Sequence, residues 1–429
     1  MSLQFITGNS GNGKTKYLFN RIVKEAKANP RDNYLVIVPE QFTMQTQRQL
    51  VDLSENKAIM NIDVLSFKRL AYRVFDELGI TNLTVLEETG KNLVLRKLAA
   101  QEADKLGVIG RNLNRIGYIS EVKSLLSELV QYNISPEELG RYIASGRLSD
   151  TLSDKLKDVL VLYEAFEKFM QDKYITAEEI LNVLSNVAEE SAILRNSVIA
   201  FDEFTGFTPI QNQLIKKLFV ISKKIYVTLT IDCREDIFKS RGMQELFDMP
   251  KRTVKSLTEM AAFYGIEVEE PIILDKNYRL AENEELSFME QQLFRKRRCS
   301  FKKAPKHIHI DCLRDPKQEL TKIARRINEL VRNENLRYRD IAIVTGDVNI
   351  YAGYVREIFD KYNIPYFIDA TQEILFHPFI EFIRSIPDIA AQNFSADAVF
   401  RFLRCGFSEL LDSEIDVLEN YVLACGVRG

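Results

Sequence analysis

The sequence predicts an α/β protein: a parallel β-sheet with helices on both faces, split by a helical insertion and followed by a second α/β unit. Three observations carry that prediction. The apolar segment Leu3-Gln4-Phe5-Ile6-Thr7 runs into Gly8-Asn9-Ser10-Gly11-Asn12-Gly13-Lys14-Thr15, and Leu18, Ile22 and Ala26 then recur at helical spacing. Tyr34-Leu35-Val36-Ile37-Val38 and Ser197-Val198-Ile199-Ala200-Phe201 are continuous apolar runs, the pattern of strands buried on both faces of a parallel sheet. Between about Leu83 and Val187 only helical periodicities are visible, as in Leu125, Leu129 and Val130, then Val159, Leu162, Tyr163 and Phe166.

The first element carries chemistry. A glycine, four residues, then Gly-Lys-Ser/Thr is the pattern of a loop that cradles phosphate. Gly8, Gly11 and Gly13 allow the backbone N–H groups to turn inward, and Asn9, Ser10 and Asn12 complete the loop. The following helix adds its positive N-terminal end. Lys14 is expected on the β- and γ-phosphates and the Thr15 hydroxyl on Mg²⁺. The alternative is a glycine-rich turn before an ordinary helix.

Further along, Pro39-Glu40-Gln41-Phe42-Thr43 leaves the end of the second strand, where ligands sit in open α/β sheets. Ile62 to Phe67 reads as a strand and Lys68 to Leu78 as a helix. The run ending in Phe201 is followed by Asp202-Glu203. Behind a phosphate loop these two acids are expected to hold Mg²⁺ through water (Asp202) and to orient or deprotonate the attacking water (Glu203). Alone, they would read as a strand ending on two solvated acids. Gln211 opens a helix carrying Leu214, Ile215 and Leu218, and Ile225 to Ile231 reads as a further strand. Arg279 is placed either to cross a cleft to a γ-phosphate or on the surface. The segment from Phe294 to His307 is markedly basic, with Arg295, Lys296, Arg297, Arg298, Lys302, Lys303 and Lys306. It reads as a solvated linker or as a phosphate-contacting stretch.

The second unit is read from three strand-like segments, His307 to Cys312, Asp340 to Val344 and Pro365 to Ile368. Between them lie an amphipathic helix (Leu320, Ile323, Ala324, Ile327, Leu330, Val331) and a helix from Tyr351 to Tyr362. A helical stretch, Phe379–Ile386, follows. The chain ends at Gly429 with no closing element, as expected of a piece of a longer protein.

Composition bounds the class. A chain of 429 residues exceeds one ordinary core, so two or three domains are expected. Apolar residues make 46% and charged residues 28%, as in a soluble globular protein, no run of about 18 apolar residues is long enough to span a membrane, and unpaired thiols are expected in a reducing cytoplasm. Cys233, Cys299, Cys312, Cys405 and Cys425 are scattered without a CxxC pair, and His307, His309 and His377 form no ligand set with them. A net charge of −3 neither announces nor excludes nucleic-acid binding.

Taken in order, these motifs resemble superfamily 1 helicases of the UvrD/Rep type, and most of all the AddB subunits of AddAB helicase–nucleases. Gly8 to Thr15 resembles motif I. Val38-Pro39-Glu40-Gln41-Phe42-Thr43 occupies the place of motif Ia, and Val64-Leu65-Ser66-Phe67 with Leu70-Ala71 resembles the next block. Phe201-Asp202-Glu203-Phe204 with Gln211 resembles motif II, and Asn277-Tyr278-Arg279 the core of motif IV. Tyr338 to Val344 and Ile364 to Asp369 resemble the start of a second motor domain.

The resemblance implies a RecA-like P-loop domain from residues 1–82 and 190–300 (1A), a helical insertion at 83–189 (1B), and the start of a second RecA-like domain at 301–429 (2A). It implies ATP and Mg²⁺ held by Gly8 to Thr15, Asp202, Gln211 and Arg279. It implies an AddA-type partner in a heterodimer, and DNA ends and single strands met by Gln41, Phe42, Thr43, Arg297, Arg298 and Lys303. It also implies double-strand break repair by homologous recombination. The family's exonuclease and its 4Fe–4S ligands match nothing before Gly429. Nor does an adenine-reading glutamine precede motif I, and motif III is not recognisable after Val227-Thr228-Leu229-Thr230. Two alternatives stay open: a degenerate, non-hydrolysing DNA-binding and Chi-recognition scaffold, and a P-loop kinase or NTPase unrelated to DNA.

Overall fold

Alternation at period two places every second residue of an apolar strand on one face, so a run with no polar residues is buried on both. The computed structural model of the chain, which describes residues 1–81, 84–108, 110, 117–145, 148–170, 174–295, 299–369, 374 and 377–427, is built this way. Its seven-stranded sheet holds β1 (Ser2–Gly8), β2 (Tyr34–Ile37), β3 (Ile62–Leu65), β6 (Val198–Phe201), β7 (Lys224–Thr230), β8 (Glu267–Val268) and β9 (Ile272–Leu274). The order is β3-β2-β6-β7-β1-β8, with β9 also on β1, and every pairing is parallel.

Tyr34 and Val36 of β2, with Ile6 of β1, Ala200 of β6 and Tyr226 of β7, face the helices α1 (Lys14–Ala28) and α2 (Thr43–Leu53). Leu35 and Ile37, with Phe5, Phe201 and Val227, face α3 (Phe67–Leu78), α8 (Ile180–Val187), α9 (Pro209–Ile221) and α10 (Asp248–Phe263). Because all strands are parallel, their carboxyl ends share one edge. The loops leaving Gly8, Ile37, Phe201, Thr230 and Leu274 therefore converge there.

Among the described residues the insertion holds four α-helices, α4 (Glu88–Gln101), α5 (Tyr118–Gln131), α6 (Pro136–Ala144) and α7 (Asp150–Met170), around a core of their own that includes Leu95, Leu126, Leu162 and Phe166. Ser135 and Glu138 cap α6 reciprocally, with Pro136 in its first turn. The sequence showed no strand here. The structure has two, β4 (Val85–Leu86) and β5 (Ile175–Thr176), which pair in parallel where the chain enters and leaves the insertion. Two residues are too few to show a period, so only the long-range pairing reveals them. Beside this neck the buried Lys91 ammonium binds Glu178 at 2.7 Å and Glu88 at 2.9 Å.

The chain divides into two units at Ile308/His309. The second unit holds α12 (Pro316–Asn333), α13 (Val348–Lys361), α14 (Pro378–Ala391), α15 (Ala396–Leu403) and α16 (Asp412–Cys425), completing the series in which α11 is Glu284–Gln292. Leu320, Ala324 and Ile327 pack on Val355, Ile358, Phe359 and Ile364. The predicted strands at 307–312, 340–344 and 365–368 are not strands: among the described residues none of them joins a ladder. Apolar alternation yields an extended chain, but a strand also requires a neighbour to take its N–H and C=O groups. Val344 and Phe367 are accordingly exposed.

Candidate nucleotide site

The glycine loop leaves β1 at the convergent edge, and close packing dictates its composition. A Cβ on Gly8 would lie 2.6 Å from the Leu274 carbonyl oxygen. Gly11 has φ +90°, and a Cβ there would lie 2.8 Å from both Arg279 Cβ and Asn277 Oδ1. The segment 277–279 lies directly on the loop. The Tyr278 and Arg279 amides donate to the Gly11 carbonyl at 3.0 and 3.4 Å, Asn277 Nδ2 donates to the Ser10 carbonyl at 3.0 Å, and Arg279 Nη1 reaches Ser10 Oγ at 3.4 Å. Asn12 Nδ2 donates to the Leu274 carbonyl at 2.5 Å. Asn9 is buried and committed at both ends: Nδ2 donates to Glu290 on α11 at 2.7 Å, and Oδ1 accepts the Cys233 amide at 2.9 Å.

Lys14 and Thr15 open α1. Lys14 Nζ donates to the Gly8 and Asn9 carbonyls at 3.0 and 2.9 Å. Burial draws its ammonium below the usual lysine value, while Glu203 and Asp202 act in the other direction. Thr15 Oγ1 stands 3.3 Å from both Asp202 Oδ1 and Glu203 Oε1. The two acids follow β6, and one strand, β7, lies between β6 and β1. Burial, with Glu203 alongside, raises the Asp202 carboxyl above the ordinary carboxylate range, although hydrogen bonds from Thr228 and Thr15 oppose the rise. Asp202 Oδ2 is buried and has no partner among the described residues. Glu203 adopts φ +64°, a left-handed backbone that a side chain makes unfavourable by about 1–2 kcal/mol. Strain of this kind gathers at functional positions.

Lys14, Thr15, Asp202, Glu203, Thr228 and Arg279 line a single cavity of about 830 Å³ at the sheet edge, with Tyr278 beside Gly13. The structure gives Gln211 a different position from the nucleotide contact expected of it. It is the third residue of α9, its Oε1 accepts the Thr208 amide at 2.9 Å, and the pair forms a capping box outside the cavity lining. Gln41 is exposed, and Phe42 is half-buried and lines the cavity. Thr43 is buried, with its hydroxyl on the Glu40 carbonyl at 3.0 Å, which leaves it no free donor for DNA. Glu40 itself accepts from Ser66 and from Arg69 at 3.1 Å, fixing this turn to the start of α3.

Described residues of the basic stretch are held by partners on the fold. Arg295 binds the buried Asp232 at 2.9 Å, Phe301 packs on Phe288 at 5.3 Å, and Lys303 pairs with Glu284 at 2.5 Å. The Lys306 and His307 amides donate to Glu285 at 2.7 and 2.8 Å. Arg297 and Arg298 lie outside the described residues. Among the described residues no group of three or more His, Cys, Asp or Glu is arranged to hold a metal, and no helix is long and apolar enough to cross a membrane. The sequence reading missed Thr228. Its signal was available, as a hydroxyl in the middle of an apolar strand.

The fold and site together define a class: an α/β protein whose glycine-rich loop and acidic pair share one cavity at the carboxyl edge of a parallel sheet. Residues 5–290 match the family model described as "ADDB, N-terminal", and the chain belongs to that family, as its ordered motifs predicted. Proteins named as the B-type subunit of an ATP-dependent helicase/deoxyribonuclease match over the whole chain. That of Lachnoclostridium phytofermentans is 39% identical, that of Clostridium tetani 34%, and that of Acetivibrio thermocellus 31%. The chain spans 38%, 38% and 37% of the length of these three relatives.

Proposed function

We propose that Gly8 to Thr15 binds the phosphates of Mg·ATP within a RecA-like P-loop domain of an AddB-type ATP-dependent helicase/deoxyribonuclease subunit. The intact protein would act with an AddA-type partner on DNA ends in double-strand break repair. One observation carries this reading: the loop's cation, its hydroxyl, both strand-end acids and Arg279 line one cavity. Magnesium demands few protein ligands, since it keeps waters and takes phosphate oxygens. Thr15 Oγ1 and the unpartnered Asp202 Oδ2 suit it, and they would hold it. When bound, the ion neutralises charge building on the β- and γ-phosphate oxygens. Lys14 would exchange the loop carbonyls for those oxygens, and Arg279, which lies on the loop beside Ser10, would meet the γ-phosphate. Glu203 would orient water and accept its proton.

Lys14→Ala tests the site. Loss of a point charge against two phosphates is expected to weaken Mg·ATP binding at least about tenfold, or ~1.4 kcal/mol. The readout is calorimetric titration, with circular dichroism as folding control. Equal affinities in the two proteins would sink the proposal. A second reading, a non-hydrolysing DNA-binding and Chi-recognition scaffold, draws on two features: segment 277–279 is packed hard onto Gly11, and Lys14 is satisfied by its own loop. DNA-stimulated ATP turnover by the full-length protein with its partner separates the two.

A further inference from the structure

β7 is buried on both faces, yet it carries Thr228, only 3% exposed, between Val227 and Leu229. A hydroxyl removed from water in such a strand must find an acceptor. β6 and β7 run parallel with Phe201 opposite Val227, so the next residues along, Asp202 and Thr228, face each other across the two strands. Thr228 Oγ1 donates to Asp202 Oδ1. Thr15 Oγ1 approaches the same oxygen at 3.3 Å. Asp202 Oδ1 is therefore the oxygen that gathers both hydroxyls. Asp202 Oδ2, on a residue 1% exposed, gathers none among the described residues.

A carboxylate on a short side chain has one free torsion that decides which oxygen points where. Thr228 is anchored by the ladder hydrogen bonds of the central strand, so it fixes that torsion from a rigid element. We propose that Thr228 is a positioning residue, holding Asp202 by Oδ1 so that Oδ2 is presented to the divalent cation of the bound nucleotide. The inference rests on the proposed Mg·ATP site and assigns that site a residue from the intervening strand. Thr230, the next residue on the same face, lines the cavity but has no comparable bond to the acid pair among the described residues.

The test uses the full chain carrying Thr228→Val, which keeps the shape without the donor, Thr228→Ala as an independent deletion, and Thr228→Ser, which restores the donor. Fluorescent ATP-analogue binding is measured without divalent ion. Mn²⁺ binding to the ADP complex is measured by electron paramagnetic resonance. Metal-free nucleotide affinity is expected to stay within about twofold of wild type in all three, while Val and Ala lose about 10–100-fold in Mn²⁺ affinity, the range seen when a metal ligand loses its orienting partner. Ser should recover to within about threefold of wild type. Unchanged Mn²⁺ affinity in Val and Ala overturns the proposal. So does a Ser variant as weak as Val, because a role in packing alone would move the two together. Failure of wild type to bind nucleotide at all would remove the site itself, a result distinct from both.

Discussion

Glu203 allows its chemistry and its strain to be separated. Its φ of +64° lies in the left-handed region, where a Cβ costs about 1–2 kcal/mol. Glycine escapes that cost but loses roughly 0.5–1 kcal/mol in chain entropy on folding. Among the described residues the carboxylate makes one bond, from Thr15 at 3.3 Å, long enough to add little to stability. Glu203→Gly is therefore expected to stabilise the fold by about 0.5–1 kcal/mol, whereas Glu203→Gln keeps the strain and stays within about 0.5 kcal/mol of wild type. Both changes remove the proton acceptor, so ATP turnover by the full-length protein with its partner should fall by about 10²-fold or more in each, with binding nearly intact. The assays are urea denaturation of the chain and steady-state phosphate release. A Gly variant clearly less stable than the Gln variant would refute the strain argument. Turnover that survives either substitution would refute the catalytic role.

Two further predictions concern charges the fold holds in place. Burial opposes ionisation of Asp232, but Arg234, joined by Arg295, outweighs it and holds the carboxyl at about 2. A folded value below the unfolded one means that this stability is complete above the ordinary carboxylate range and is withdrawn as pH falls through about 2. Between pH 4.5 and 2, wild type should lose about 1–2 kcal/mol more than Asp232→Asn. Parallel urea midpoints for the two proteins across that range would contradict the assignment. In the full-length protein, replacing Arg297, Arg298 and Lys303 by Ser should weaken DNA binding alike for all sequences and flatten its salt dependence by roughly one counterion for each phosphate-binding cation removed. A salt slope equal to wild type would leave the stretch as a structural strap.

The site's skeleton was legible because its motifs are local. The glycine-rich loop, the run into Asp202-Glu203 and the segment at Asn277-Tyr278-Arg279 each follow an apolar strand. A parallel sheet brings all strand ends to one edge without further information. The reading failed where a residue's role depends on a distant partner. Arg295, Lys303 and Lys306 read as parts of a linker until Asp232, Glu284 and Glu285 are seen holding them. The alternating segments at 340–344 and 365–368 have the composition of strands, but no neighbouring strand among the described residues pairs with them.

By itself, then, the sequence determined which stretches could be buried strands, where the glycine-rich loop sits, which acids stand at a strand end, and to which family the chain belongs. All of these follow from short-range pattern: period two, period 3.6, and a glycine spacing. Tertiary structure alone decided that β7 lies between β1 and β6, that Thr228 thereby meets Asp202, that Asn9 is claimed by both Glu290 and Cys233, and that Glu203 is strained. Strand order and side-chain partnership join residues tens to hundreds apart in sequence. They are fixed by which arrangement buries both faces of the sheet and leaves its polar groups bonded, a condition on the whole chain that no single stretch contains.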